Sequence, residues 1–400
     1  MEYITVKEAA KKWNISERLV QKYCAQGRIG GAKKFGVSWG IPQNAVKPAD
    51  PRKKEESSSG QRRCQDIGLL ADLMPLMSAA FEPGCCRQYI RGMEEGPQKE
   101  IAIAEYYYFS GQPEEAVKRA ELYLNSSDMA LRLSACLLFS YANLTIGQIH
   151  RAKYALNEVR STLAAGAEKG SSYLRAAESF VAVAAAVLLH LPLPDQIPEP
   201  ADYLPLLPMG LQIFSLYVMA HYTYLQGQYE KSLGIIEATL ALQAENYPIP
   251  AIYLHLAAVM DYMSLRKPEQ AEKHLLAAWA LAKPDDLIEA FGEHHGLLGG
   301  MLEAVIKQKW PQDFKRIISI TYRFSKGWRK VHNPVTGHEV ADNLTTTEFA
   351  AAMLAARGWT NQEIGEHMNI SANTVKHYIS SALQKLNIKH RQELKKYMLQ

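Results

Sequence analysis

A short turn pattern that recurs four times constrains the fold of this 400-residue chain more than any other feature. Each copy has a turn residue, a small residue five positions later, and an apolar helical segment on either side. The turn residues are Gly111, Gly147, Gly227 and, in a weaker copy, Arg266, at spacings of 36, 80 and 39 residues. Two-helix units of this period stack into solenoids, because one unit cannot bury its apolar face alone. The sequence therefore predicts a mainly α protein with a helical-repeat solenoid over residues 66–330.

This period and turn resemble tetratricopeptide repeats, as found in regulators of the MalT kind, although the consensus Trp and Pro are mostly absent. The resemblance implies a concave groove for an unknown effector or protein partner. Candidates to line that groove are the aromatic residues Tyr106, Tyr203, Tyr217, Tyr222 and Tyr229. The alternative is that these tyrosines only pack between helices. The prolines between Leu191 and Met209 mark either a break in the solenoid or a loop at its edge.

Residues 344–400 carry the signals of several short helices. Thr345 followed by Glu348 is a capping-box pattern, and Ser371 is a suitable N-cap. Gly358 suits the left-handed residue that ends a helix. Apolar residues recur at helical spacing after each cap. Two short helices, a tight turn and an amphipathic third helix form a helix-turn-helix, which places one helix in the DNA major groove.

This segment closely resembles the four-helix LuxR-type helix-turn-helix of bacterial transcription regulators. The matching residues are Leu344-Thr345, Glu348, Gly358, Asn361, Glu363-Ile364, Ile370-Ser371, Thr374-Val375-Lys376 and Lys385-Leu386. The resemblance implies that Lys376, His377 and Ser380 point into the groove and that Thr374 and Tyr378 lie near phosphates. Thr347 departs from the usual Arg of the family, and Tyr378 departs from a frequent His. The alternative is a helical cap that does not bind DNA.

The N-terminus carries a second DNA-binding pattern over residues 1–47. Two short helices precede two predicted strands, at 28–35 and 37–41, which flank Gly36. The arrangement resembles the winged helix-turn-helix modules of the excisionase and MerR kind. The matching residues are Ile4 to Ala10, Ile15-Ser16, Gly27-Arg28-Ile29 and Ser38 to Pro42. The implied DNA-binding residues are Arg18, Gln21 and Lys22 on the second helix and Lys33 and Lys34 on the wing. The alternatives are a protein-binding wing and a degenerate relic.

Two linkers separate these regions. Residues 48–65 are rich in Pro, Ser and charged side chains and have no apolar period, which predicts a flexible tether. Residues 331–343 form a second predicted linker. The overall net charge of +4 is uneven, because residues 1–54 carry +8 and residues 341–400 carry +2. Basic ends around an acidic centre fit a protein that contacts nucleic acid at its ends, although a solvated basic face gives the same balance.

Signals of catalysis and of cofactors are missing. The chain has no Gly-x-x-x-x-Gly-Lys-Ser/Thr loop and no Gly-x-Ser-x-Gly elbow. Its five cysteines include no Cys-x-x-Cys pair. His294-His295 is expected on a polar loop or helix surface, because adjacent histidines on a helix diverge too far to share a metal. The sequence predicts no enzyme and no cofactor.

The first residues do not resemble a signal peptide, and the longest apolar run, Phe180 to Leu189, is too short to span a bilayer. These features predict a cytoplasmic protein without a membrane partner. The combined interpretation is a bacterial-type transcription regulator that binds double-stranded DNA as a homodimer. The alternative is a tetratricopeptide-like interaction scaffold in which only one end contacts DNA.

Overall fold

The computed structural model describes residues 3–47 with short gaps, 72–167, 172–188, 199–332 and 344–395. The predicted linker at 48–65 and most of the linker at 331–343 lie outside these ranges. The chain divides into two compact units, residues 1–64 and residues 65–400. The second unit holds both the predicted repeats and the predicted LuxR-type segment, which share one hydrophobic core.

The N-terminal unit has two helices and a small antiparallel sheet. Helix α1 spans Val6–Trp13 and α2 spans Glu17–Ala25. The strands are β1 (Tyr3–Thr5), β2 (Lys33–Phe35) and β3 (Ser38–Pro42), in the order β1-β3-β2. The helices and the hairpin agree with the sequence prediction, but β2 is shorter than the predicted strand at 28–35, and β1 is an additional strand. Its register pairs Ile4 with Ile41, which is fully buried.

The regular secondary structure among the described residues of the second unit is all helical. Its first helices are α3 (Cys86–Gly92), α4 (Pro97–Phe109), α5 (Pro113–Ala120), α6 (Met129–Ile146), α7 (Ile149–Ala167), α8 (Ser172–Leu188) and α9 (Pro200–Tyr203). There follow α10 (Met209–Leu225), α11 (Tyr229–Leu242), α12 (Pro248–Ser264), α13 (Pro268–Ala282), α14 (Glu289–His294), α15 (Lys307–Lys309) and α16 (Pro311–His332). The last are α17 (Thr346–Ala356), α18 (Asn361–Met368) and α19 (Ala372–Lys385). A π-helical turn spans Leu302–Ile306, and short 3₁₀ turns include His295–Leu297 and Arg391–Glu393.

The four repeated turns share one geometry, and each joins two helices into a hairpin. Gly111, Gly147 and Gly227 have φ of 77°, 80° and 72°, and Arg266 has φ of 59°. In each turn the next residue's N–H donates to a carbonyl five residues earlier, at 2.8–3.1 Å. The small residues at the fifth position, Ala116, Ala152, Ser232 and Ala271, are all fully buried. The predicted turns and helix contacts are therefore confirmed.

Neighbouring hairpins pack in chain order. Helix α4 lies against α6, and α10 lies against α12, so the first helices of successive hairpins are adjacent. Helix α14 packs inside this array, since it contacts both α4 and α12, and α16 packs on α6 and α14. The tetratricopeptide likeness of the array stays a prediction. One described helix, Met129–Ile146, is long and apolar enough to cross a membrane, but 78% of it is buried in the fold.

Candidate nucleic-acid interface

Capping side chains start each of the three helices at the C-terminus. Thr345 Oγ1 accepts from the N–H of Glu348 at 3.2 Å, and Glu348 Oε2 accepts from the N–H of Thr345 at 2.7 Å. Thr360 and Glu363 make the same reciprocal pair at the start of α18. Ser371 Oγ accepts from a backbone N–H three residues on, at 3.0 Å. The predicted capping box at Thr345 and N-cap at Ser371 are confirmed, and the box at Thr360 is an addition.

The turn between α18 and α19 is tight and leaves no room for a side chain at Gly365. A Cβ atom there would lie 2.7 Å from the carbonyl oxygen of Ile370. The N–H of Ile370 donates to the carbonyl of Gly365 at 2.9 Å, and Asn369 adopts the left-handed conformation with φ of 54°. This turn sets the angle at which α19 crosses α18, as a helix-turn-helix requires.

Helix α19 presents one polar face to solvent. Val375, Ile379 and Ala382 are buried on its inner side. The predicted DNA-binding residues all lie on this helix, with Lys376, His377 and Ser380 exposed and Thr374 and Tyr378 half-buried. The exposed face thus offers an ammonium group, an imidazole and a hydroxyl within two turns. Such groups pair with phosphate oxygens and with base edges.

Glu348 on α17 links this helix to α19. Its carboxylate accepts from Ser381 Oγ at 2.6 Å and from Lys385 Nζ at 2.7 Å, in addition to its capping bond. Burial opposes the charged form, but the bonds from Lys385, Ser381 and Thr345 outweigh it and lower the pKa of Glu348 to about 2. The sequence pattern shows the cap but not the link to α19, because the partners are more than 30 residues away along the chain.

The helix-turn-helix packs through α17 on the predicted repeat region, residues 66–330. Six consecutive residues of α17, from Ala350 to Ala355, are buried, so both sides of the helix are covered. One side packs on α19 and the other on the segment His295–Met301, named here the platform segment. Its glycines allow close approach, since a Cβ at Gly296 would lie 2.9 Å from the ring of Phe349.

Polar contacts tie the two regions together at the ends of α17 and α18. Arg357 Nη2 donates to Tyr224 Oη and to the carbonyl of Leu297, both at 3.1 Å. Arg266 Nη2 donates to the carbonyl of Gly358. His367 Nε2 lies 3.2 Å from the carbonyl of Gly299 in the platform segment. None of these contacts uses the exposed face of α19.

The five predicted residues of the N-terminal unit are all exposed. Arg18, Gln21 and Lys22 lie on the outer side of α2, whose inner side buries Val20, Tyr23 and Cys24. Lys33 and Lys34 lie on β2, which pairs with β3. Three of these residues thus lie on one helix and two on one strand, and their binding of DNA stays a prediction.

The five predicted groove tyrosines do not share one surface. Tyr106, Tyr203 and Tyr217 are 7%, 3% and 0% exposed, so they are core side chains. The hydroxyl of Tyr106 accepts from Arg87 Nη2 at 2.7 Å. Tyr229 is half-buried, and Tyr222 is 38% exposed. The alternative that tyrosines pack between helices describes the first three.

A polar network lies instead around α14, inside the helical array. Glu293 accepts from the hydroxyls of Tyr108 and Tyr253 at 2.5 and 2.9 Å. His294 Nε2 lies 2.8 Å from Tyr217 Oη. The expected surface position of His294-His295 is wrong, because both side chains are buried and their neighbours supply hydrogen bonds. His295 Nε2 lies 2.8 Å from Glu303, which is also buried.

Metal-binding clusters are not found among the residues that the structure describes: no three or more His, Cys, Asp or Glu side chains are grouped to hold an ion. The described cysteines, Cys24, Cys85, Cys86 and Cys136, are free thiols. Burial raises the pKa of the Cys86 thiol to about 12. Such a thiol is a packing group rather than a nucleophile.

The family comparison matches the C-terminal segment. Residues 342–398 match the family model of bacterial regulatory proteins, luxR family. No curated protein and no solved structure matches the chain. The matched residues include α17, α18, α19 and the Arg391–Glu393 turn, so the helix-turn-helix described above is a LuxR-type domain. Such a domain indicates a DNA-binding transcription regulator.

Proposed function

We propose that this protein is a transcription regulator that reads double-stranded DNA by inserting α19 into the major groove. The observation that carries the proposal is the common exposure of Lys376, His377 and Ser380 on α19, within the LuxR-type segment. Thr374 and Tyr378 contact phosphates beside the groove. Phosphate contacts give salt-dependent affinity, whereas contacts to base edges select the sequence.

The way the domain is seated supports the proposal. A helix-turn-helix that was held inactive by its own chain would have its recognition helix covered. Here the polar contacts with the repeat region use Arg357, Gly358 and His367, none of which lies on α19. The face of α19 stays open to DNA while the domain is docked.

The remaining parts of the proposal concern assembly and sensing. A homodimer binds two half-sites about one helical turn, roughly 34 Å, apart. The tetratricopeptide-like repeats bind an effector or a protein partner and change the spacing of the two copies of α19. The N-terminal winged helix adds a second DNA contact through Arg18, Gln21 and Lys22 and, on its wing, Lys33 and Lys34. Such a protein acts in the cytoplasm of a bacterium.

The first experiment is selection of bound DNA from a random pool by the full-length protein, followed by binding measurements on the enriched site. Lys376→Glu should abolish binding, because it replaces a groove-facing cation with an anion. Lys231→Glu, an exposed change on α11, is the matched control and should leave binding intact. Circular dichroism should be the same for both variants. Point variants are preferred to deletion of the domain, because deletion would uncover the platform segment.

Two results would contradict the proposal. Retained binding by a folded Lys376→Glu protein would remove α19 as the reader. Failure of the wild-type protein to enrich any DNA would favour the interaction scaffold. Arg18→Glu combined with Lys22→Glu tests the N-terminal unit separately, and an unchanged enriched site would make that unit a protein contact.

A further inference from the structure

One hairpin turn departs from the other three at its most constrained position. Gly111, Gly147 and Gly227 occupy the left-handed residue of their turns, but the fourth turn has Arg266 there, with φ of 59°. A side chain in this conformation costs about 1–2 kcal/mol relative to glycine. Strained residues of this kind persist where the surrounding structure holds them, and they cluster at functional sites. The side chain of Arg266 therefore calls for a role beyond closing the turn.

The side chain of Arg266 reaches out of the repeats to the LuxR-type domain. It donates to the carbonyl of Gly358, and its guanidinium lies 6.0 Å from the ring centre of Trp359. These two residues come just before α18. A second guanidinium reaches the same place, because Arg391 donates to the carbonyl of Trp359 and, at 2.5 Å, to Asn361 Oδ1. Two arginines thus flank the start of α18.

The start of α18 is where a helix-turn-helix meets the DNA backbone. The first helix of the motif crosses the backbone while the second lies in the groove. Arginine side chains and helix N-termini are common phosphate contacts. We propose that Arg266 binds a phosphate of the DNA read by α19, so that the repeat region supplies part of the DNA interface. This inference rests on the proposed function.

The charges around Arg266 permit this role. Arg266 and its neighbour Lys267 are both exposed. The charge of Arg266 acts on Glu363, whose carboxylate is held by the N–H and hydroxyl of Thr360 in the capping box. Those bonds lower the pKa of Glu363, and the charge of Arg266 lowers it further. A guanidinium has five N–H donors, so Arg266 keeps donors for a phosphate after bonding Gly358.

The test measures the salt dependence of affinity for the enriched DNA, with full-length protein. Each phosphate contact adds about 0.9 to the slope of log K against log salt. Arg266→Gln removes the charge and, because its side chain is shorter, also removes the bond to Gly358; it should make the slope shallower by about 0.9. The same relation predicts a roughly eightfold loss of affinity at about 0.1 M salt. Lys118→Gln, an exposed charge on α5, is the control and should change neither quantity.

A second variant separates binding from folding. Arg266→Gly restores the residue of the other three turns, so it relieves the backbone while removing the side chain. It should unfold at the same or a higher urea concentration than wild type. Its slope of log K against log salt should still be shallower by the same amount as in Arg266→Gln. An unchanged slope in both variants would overturn the inference and leave Arg266 as a partner of Gly358 alone. Failure of the wild-type protein to bind DNA would instead refute the proposed function.

Discussion

The bond network of Glu348 gives a prediction whose size follows from the structure. Glu348→Gln keeps the shape of the side chain and, because Gln also suits the third position of a capping box, keeps the cap. It removes the negative charge that Lys385 Nζ contacts at 2.7 Å and that Ser381 Oγ contacts at 2.6 Å. The variant therefore isolates the link between α17 and α19.

The expected loss is about 2 kcal/mol. The pKa of Glu348 falls from 4.5 to about 2 in the folded protein. At about 1.4 kcal/mol for each pH unit, this shift is worth about 3 kcal/mol. The Glu348 side chain is only 8% exposed, but that of Lys385 is 34% exposed, so water screens the pair and the value is reduced. A loss of 2 kcal/mol makes local opening of the domain roughly 30 times more frequent.

Hydrogen exchange of the α19 amides measures this opening directly in the full-length protein. Glu348→Gln should accelerate their exchange, and Lys385→Gln should do so to a similar degree. The double variant should be little worse than either single one, because the first substitution already breaks the pair. Glu363→Gln is the matched control, since Glu363 occupies the same place in the other capping box without a lysine partner.

The pH dependence supplies a second check of the same prediction. A carboxyl group whose folded pKa is depressed stabilises the protein above its unfolded pKa. The contribution of Glu348 should therefore be complete above about pH 5 and should disappear as the pH falls from 4.5 towards 2. Equal exchange rates for wild type and Glu348→Gln at pH 7, or additive effects in the double variant, would refute the reasoning.

Three further predictions concern the repeat region. Gly227→Ala should lower the free energy of unfolding by about 1 kcal/mol in urea, because φ is 72° and nothing else crowds the site. Burial and the charge of Glu293 raise the pKa of Glu289, whose Oε2 has no hydrogen-bond partner. Because ionised Glu289 is disfavoured in the folded protein, the free energy of unfolding should fall as the pH rises above 4.5. Glu289→Gln should therefore raise the urea concentration at the midpoint of unfolding at pH 8. Arg357→Ala should speed amide exchange in α17, with Lys231→Ala as a control that leaves it unchanged.

The repeated turns were predictable because their information is local. A left-handed residue favours glycine, and a close helix contact needs a small residue, so both leave marks at fixed positions in the sequence. The structure places Gly147 at φ of 80° and buries Ala152 completely, as the spacing predicted. The same reasoning explains the caps at Thr345 and Ser371, whose partners lie three residues away.

The long-range contacts left weaker marks. His294 and His295 are polar in sequence, yet both are buried with hydrogen-bond partners, Tyr217 from a separate helix and Glu303 from the π-helical turn that follows. The bond from Lys385 to Glu348 is likewise invisible until α19 is placed across α17. Composition and periodicity describe which face of a helix is apolar, but not which distant side chain satisfies a polar group.

One sequence feature nevertheless indicates that the LuxR-type domain packs on another part of the chain. The residues from Phe349 to Ala356 are all apolar, and a helix that is apolar all round is buried on all sides. In an isolated domain of this kind, α17 would need only one apolar side, to pack on α18 and α19. The additional apolar surface of α17 therefore implies a second partner. The platform segment is that partner, and it belongs to the repeats.

This seating limits how any effector of the repeats could act on DNA binding. Lys376 on α19 is already exposed while the domain is docked on the repeat region, so release from that region is not needed to uncover it. The contacts of Tyr224 and Arg266 with the domain lie at the turns of two successive hairpins, and both turns belong to the array that α14 fills. A ligand that moves one hairpin relative to the next would therefore tilt the whole helix-turn-helix. We therefore propose that an effector of the repeats would act on where the recognition helix points, rather than on whether it is accessible.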